Sequence, residues 1–391
     1  MELYIHIPFC MKKCDYCDFL SGTYDTDTRQ AYTRALCREI QFWAPNFSST
    51  SFDTIYIGGG TPSWLETSLM DEIMDTVRQC FYIADDAEIS MECNPGTATL
   101  AAFTSYRNWG LNRMSIGLQS ANDDELKLLG RVHTYDRFLK TFENARRCGI
   151  YNINIDIMTG LPGQTLDSLY NTLVHVTGLR PEHISAYALT IEEGTPFYER
   201  YKFDAVRQHA GMETKYLPND DEAYALSKLC EQTLGERGYI RYEISNYARD
   251  NMTCRHNIGY WKRVPYLGIG LGASSLIDNR RTTNETDIRT YIEKASVLSR
   301  DGGDTSPLWQ EVIELSRKDE IEEFMYLGLR LTEGIHRQDF ANTFGQPIDT
   351  YYKPVLEQLN KEGLLLLDGG RIRLSDRGMD IANRILAEFL F

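Results

Sequence analysis

The residues best suited to do chemistry in this chain are Cys10, Cys14 and Cys17, spaced C-x3-C-x2-C in CMKKCDYC. Thiolates are soft ligands that suit zinc or an iron–sulfur cluster. A structural zinc asks for four ligands, usually as two paired knuckles. The remaining cysteines, at 37, 80, 93, 148, 230 and 254, are scattered singly and offer no second pair. Three thiolates on a cubane [4Fe–4S] cluster leave one iron without a protein ligand. Such an open iron can take a small molecule, whereas a fully ligated cluster mainly passes electrons. Zinc, or a chance spacing, is the alternative reading of the same residues.

Positioning these thiols falls to a recurring unit. Short β-rich runs at Leu3–Ile7, Thr54–Ile57, Glu88–Met91, Arg113–Leu118, Asn152–Met158 and Ile184–Leu189 are each followed by a polar turn and a helical pattern. Strands alternating with helices predict βα units on a parallel sheet, wound one way by right-handed crossovers. Six units fall short of the eight of a closed barrel. The fold class is therefore α/β, a partial (βα)6 TIM-like barrel. The turns after the strands read HIPFCMKKC, GGGTP, ECNPG, GLQS, DIMTGLPGQ and LTIEEGTP. They gather Gly, Pro and polar residues at the strand ends where such folds place ligands.

Beyond the barrel, residues 203–222 lack periodicity and read as a connecting loop. A helix follows at 221–236, then a strand-like run Tyr239–Tyr247, CRHNIGYW at 254–261, GIGLGASS at 268–275 and a helix at 286–300. Helical patterns at 308–330, 337–344 and 349–362, two short strands around DGG and a last helix from Arg377 predict a mostly helical, winged-helix-like C-terminal domain. The expected division is 1–202 for the barrel, 203–306 for a connecting region carrying HNIGYW and GIGLGASS, and 307–391 for the C-terminal domain.

Charge narrows the function classes. Lys and Arg total 41 against 56 Asp and Glu, a net charge of −15, and residues 307–391 hold 10 basic and 15 acidic side chains. A winged helix that neutralised DNA phosphates would need a basic face, so no nucleic-acid partner is expected. No apolar run reaches the roughly 18 residues of a membrane span. The start MELYIHIPFCMKK is too short and interrupted for a signal peptide, so reduced thiols and a cytoplasmic location are expected.

The cysteine spacing, the aromatic before its last cysteine and GGGTP after the second strand resemble the radical S-adenosylmethionine (SAM) superfamily. Further motifs narrow the resemblance: YIHIPFC at 4–10, ECNPG at 92–96, SIGLQS at 115–120, LGRVH at 129–133 and DIMTGLPGQ at 156–164 are similar to the coproporphyrinogen oxidase–HemW branch. The resemblance implies a [4Fe–4S] cluster on Cys10, Cys14 and Cys17. It implies a SAM pocket comprising Tyr4, Tyr16, Gly59, Gly60, Thr61, Glu92, Gln119, Arg131, Asp156 and Ala188. The residue types suit those roles. Glycines let the backbone approach a ligand closely, Arg131 can fork onto a carboxylate, and Glu92 and Asp156 can accept from hydroxyl or amino groups.

Within that branch the oxidase carries one more cysteine two positions after the third, where this chain has Phe19, and a sizeable N-terminal extension for which the first strand leaves no room. HNIGYW at 256–261 resembles the signature of the haem-chaperone group. The resemblance thus implies a haem carrier without coproporphyrinogen oxidase activity, with haem as bound cargo. A radical SAM oxidase acting on a porphyrinogen is the alternative. His256 is the candidate axial haem ligand, with Cys254 as its rival and His6 and His133 as supports in the SAM-site turns. Expected partners are haem, apo-haemoproteins such as respiratory enzymes, an electron donor and a second copy of the chain.

Overall fold

Alternation along the six parallel strands sends apolar side chains one way and polar ones the other. In β1 (Glu2–Ile7), Leu3, Ile5 and Ile7 are fully buried on one face, while Glu2, Tyr4 and His6 take the opposite one. The pattern repeats in β2 (Ser51–Gly59), β3 (Tyr82–Cys93), β4 (Arg113–Gln119), β5 (Asn152–Thr159) and β6 (His183–Ala188). Ile55, Ile57, Ile89, Met91, Met114, Ile116, Ile153, Ile155 and Ile184 supply the apolar face. The computed structural model describes all 391 residues. Helices at 26–43, 67–80, 100–108, 135–147 and 166–178 cover the apolar face and share with it a core of 56 buried residues. Side chains of Asp25, Thr99, Thr134 and Thr165 cap four of these helices and fix where each leaves its turn.

The β1–β6 array is an open, parallel half-barrel, as the alternation predicts, and it extends on both sides. Strands β7 (Ile240–Arg241) and β8 (Asn246–Ala248) join antiparallel beyond β6. On the other side β9 (Tyr266–Ile269) pairs parallel with β1, followed antiparallel by β10 (Ser274–Ile277), β11 (Arg280–Asn284) and β12 (Trp309–Glu314). The result is one twelve-stranded sheet with β12 and β7 at its edges. A second core of 19 buried residues runs from Ile321 to Phe389. It joins helices at 317–328, 337–344 and 349–361 to a small sheet of β13 (Ile335–His336), β14 (Leu365–Asp368) and β15 (Arg371–Leu374). This is the helical unit with a hairpin that the sequence predicts. No helix is long and apolar enough to cross a membrane.

Three local expectations are corrected. Residues 203–209 are not loop but the end of a helix, Pro196–His209, capped by Thr195 with proline in its first turn. Its exposed Phe203 and Val206 blur the amphipathic pattern. The segment 308–330 is not one helix: WQEVIE forms edge strand β12, and the helix starts at Arg317 behind a Ser316–Asp319 capping box. Tyr239–Tyr247 is not one strand but the start of the β7–β8 hairpin.

One buried carboxylate ties the half-barrel to its extension. Glu39, on helix 26–43, accepts hydrogen bonds from the Gly270 amide at 2.9 Å, from Asn284 Nδ2 at 2.6 Å and from the Tyr291 hydroxyl. Burial outweighs those donors and pushes its carboxyl up to about 7. An acid with a raised native value holds its proton in the folded state after the unfolded chain has lost it, so stability falls as pH rises through that window. Glu39 should cost about 3 kcal/mol between pH 4.5 and pH 7. Urea unfolding at pH 5 and pH 7.5 checks this: the wild type should lose more stability on going to the higher pH than Glu39→Gln, and equal losses would refute the assignment.

Candidate functional site

The cysteine loop leaves β1 at Ile7 and is closed on itself by its own backbone. The Cys10 amide donates to Gly22 O and the Gly22 amide to Pro8 O, both at 2.9 Å. Farther along, the Asp15 amide reaches Leu129 O at 3.1 Å, and Asp15 O accepts from the Phe197 amide at 2.9 Å. The loop is thus held between the turn after β4 and the helix after β6. The glycine turn after β2 is joined to it: the Gly60 amide donates to Ile7 O and the Thr61 amide to Phe9 O, each at 2.8 Å. A side chain at residue 60 would place Cβ 2.9 Å from Phe9 O and from the Pro8 carbonyl carbon. Only glycine permits that approach.

Below the loops lies a cavity of about 350 Å³ lined by the polar face of the strands. Eleven of the fourteen candidate residues meet on its wall: Cys10, Cys14, Cys17, Tyr16, Gly59, Gly60, Thr61, Glu92, Gln119, Arg131 and Asp156. All three thiols are free and partly exposed. Cys10 Sγ lies 3.5 Å from Thr61 Oγ1, and Arg131 Nη1 donates to Cys14 Sγ at 3.6 Å. Burial pushes the Cys17 thiol up to about 11, so a metal's charge must draw off its proton. The donor set fits an iron–sulfur cluster: three soft thiols on one closed loop, facing a cavity roomy enough for a small-molecule ligand.

Two buried carboxylates face that cavity. Glu92 accepts from the Tyr56 hydroxyl at 3.0 Å and from the Gly59 amide at 3.1 Å. Burial, helped by repulsion from Asp156, still pushes it up to about 7. Asp156 accepts from Asn154 Nδ2 at 2.6 Å and Ser115 Oγ at 3.1 Å, and burial raises it too. Arg131 is clasped by Asn94 Oδ1 at 2.7 Å and by Gly117 O, while its buried Nε has no partner. Gln119 enters at a β-bulge with φ of 75°, a left-handed backbone that a non-glycine residue rarely adopts. A guanidinium held at β4 between carboxylates on the two flanking strands, with amide and hydroxyl donors nearby, can hold a zwitterion that also carries a diol.

Three candidates lie elsewhere. Tyr4 is behind the wall, its hydroxyl 3.0 Å from His6 Nδ1 and its ring stacked on Tyr56. Ala188 is exposed at the end of β6, paired with Thr159. His256 is 1 % exposed with both nitrogens engaged, Nδ1 with Thr54 Oγ1 at 2.7 Å and Nε2 with Tyr260 Oη at 3.0 Å. Burial pushes it down to about 3. The axial-ligand reading of His256 is corrected accordingly: this is a neutral structural histidine with no open nitrogen. Its neighbours Cys254 and Asn257 do reach the cavity. His6 Nε2 donates to Leu20 O at 2.8 Å, and His133 Nε2 sits 3.3 Å from Leu118 O, so both brace the site's turns.

Sequence reasoning missed Tyr56, Asn94, Arg113, Ser115, Asn154, His183, Ser185 and Tyr187 on the wall. Half of them, Asn94, Asn154, Ser115 and Ser185, lie two residues from Glu92 or Asp156 or opposite them in the strand register, so the period of two was the signal that could have found them. Replacing His256 by Ala should lower unfolding free energy by about 2–4 kcal/mol, since it strands two buried hydroxyls. It should leave haem affinity unchanged in a Soret titration. A variant of full stability but altered Soret spectrum would restore the ligand reading.

Comparison with known proteins identifies relatives of this chain. The radical SAM superfamily model matches residues 4–176, and the HemN C-terminal domain model matches 315–381. The heme chaperone HemW of Bacillus subtilis is 32% identical over 388 residues, covering 99% of this chain and 98% of that protein. The heme chaperone HemW of Escherichia coli is 33% identical, covering 100% and 98%. Among solved structures, coproporphyrinogen III oxidase (HemN) from Escherichia coli superposes with a TM-score of 0.84 at 24% identity, over 99% of this chain and 89% of that one.

Proposed function

We infer the function from one premise: this chain belongs to the radical SAM superfamily, in its HemW branch. On that premise we propose a haem chaperone that binds haem and hands it to apo-haemoproteins such as respiratory enzymes. The observation that carries the proposal is end-to-end similarity to proteins named as heme chaperones. Phe19 supports it, because it stands where the oxidase pattern has a further cysteine, and its ring is 62 % exposed beside the cavity mouth.

Cys10, Cys14 and Cys17 would hold the [4Fe–4S] cluster, and the wall below would hold SAM. When bound, the pair supplies one-electron reductive chemistry at a sulfonium. The chain's own part is to bind and orient. Gly59 and Gly60 let the backbone close on the ligand, Arg131 offers its fork to a carboxylate, and Glu92 and Asp156 accept from amino or hydroxyl groups. An electron donor and a second copy of the chain belong to the same reading.

Glu92 gives this reading a pH signature. With its carboxyl pushed up to about 7 by burial, the charged form needed beside a cationic ligand becomes fully populated only above neutrality. SAM affinity should therefore rise between pH 6 and pH 8, and Glu92→Gln should flatten that rise in equilibrium dialysis. A wild-type affinity independent of pH would remove Glu92 from the ligand contacts.

The function itself is tested on anaerobically reconstituted protein. Haem should bind and pass to an apo-haemoprotein, while coproporphyrinogen III with SAM and a reductant should stay unconverted. Replacing Cys10, Cys14 or Cys17 singly by Ala should abolish the cluster's broad visible absorbance. Protoporphyrinogen in the reaction would favour an oxidase instead, and failure of haem to bind would end the chaperone reading.

A further inference from the structure

The cavity continues below Glu92 and Asp156 to a floor where Arg113, at the start of β4, meets the helix Arg255–Trp261. Arg113 is only 2 % exposed, so its guanidinium has been taken out of water. Its Nε has no hydrogen-bond partner. Glu88 and Asp156 are the carboxylates that face it, and neither forms an ion pair with it. Their oxygens are already in use. Glu88 accepts from the Arg255 and His256 amides at 3.1 and 3.2 Å and from Cys254 Sγ at 3.6 Å. Asp156 accepts from Ser115 and Asn154. His183 and Asn154, which also line the floor, are satisfied by each other at 2.6 Å, and His183 Nε2 by the Tyr242 hydroxyl at 2.8 Å. The charge of Arg113 is balanced at a distance, but its donors are not matched at contact. Buried donors that face a cavity without partners are rare in native proteins.

We propose that this floor is a carboxylate-binding subsite in which Arg113 and Asn257, both on the cavity lining, recognise the ligand. The fork of a guanidinium matches the two planar oxygens of a carboxylate. Glu88 and Asp156 nearby disfavour a doubly charged phosphate and tolerate a single negative charge. The site is distinct from Arg131, which stands at the cavity's other end beside Cys14. It also gives Asn257 of HNIGYW a role that His256 does not have. Two sources carry the required group: a propionate arm of haem, or a free short-chain carboxylate. Only the first rests on the chaperone reading.

Equilibrium titrations of the reconstituted full-length protein with sodium propionate, inorganic phosphate, haem and haem dimethyl ester separate these cases. A haem propionate in the floor makes the wild type bind haem at least tenfold tighter than the ester, and Arg113→Gln and Asn257→Ala erase that preference. A free carboxylate makes propionate bind where phosphate does not, and the same variants weaken it at least tenfold. In both cases SAM affinity in Asn257→Ala stays within twofold of wild type, which a general loosening of the barrel would not allow. Should Arg113→Gln fail to fold, Asn257→Ala carries the comparison alone. Neither propionate binding nor a haem-over-ester preference in the wild type, or variants that match it for every ligand, would overturn the proposal and leave Arg113 as a buried structural charge. If haem and its ester both fail to bind, the chaperone reading falls, and the propionate titration still decides the floor.

Discussion

Everything in this molecule depends on keeping polar groups buried on one face of a parallel sheet. A closed eight-unit barrel normally fills that face with branched apolar side chains. Here the same positions carry Tyr56, Glu92, Arg113, Ser115, Asn154, Asp156, His183 and Ser185. Each buried carboxylate or guanidinium carries a desolvation cost that only contacts of good geometry offset. The strand register supplies those contacts by setting Ser115 opposite Asn154 and Asp156 opposite Ser185. The apolar face, packed under five helices, provides the stability that makes such an interior tolerable.

Much of this was legible before any coordinates. The six strands, the thiol loop and the glycine turn are local signals, each carried by a few adjacent residues, and they assemble as the spacing predicts. What was not legible is what depends on partners distant in sequence. Strand β12 looks helical in isolation because nothing near Trp309 announces that β11 will receive it. His256 looks like a ligand until Thr54, some two hundred residues earlier, takes one nitrogen. Arg113 reads as an ordinary strand residue, and only the unpartnered Nε of its buried guanidinium makes it conspicuous.

The segment RHNIGYW connects parts of the molecule that the linear sequence keeps apart. Asn257 faces the cavity, and His256 fastens the helix to β2. At its far end Trp261 stacks under the Arg330 guanidinium, 4.4 Å from the ring centre. The neighbouring Arg263 and Arg281 share Glu323 of the C-terminal unit at 2.8 and 2.6 Å. Cavity floor and C-terminal unit are therefore braced by the same short helix.

The self-closed loop between Pro8 and Gly22 bears on how the metal centre is born. In small zinc modules the ion organises the chain, and removing it unfolds the domain. Here amide-to-carbonyl links and a large apolar core shape the receptacle from the polypeptide alone. The loop's outline is thus written in pairings among its own peptide groups, and whatever its thiols would hold has to match a curvature that those pairings already set.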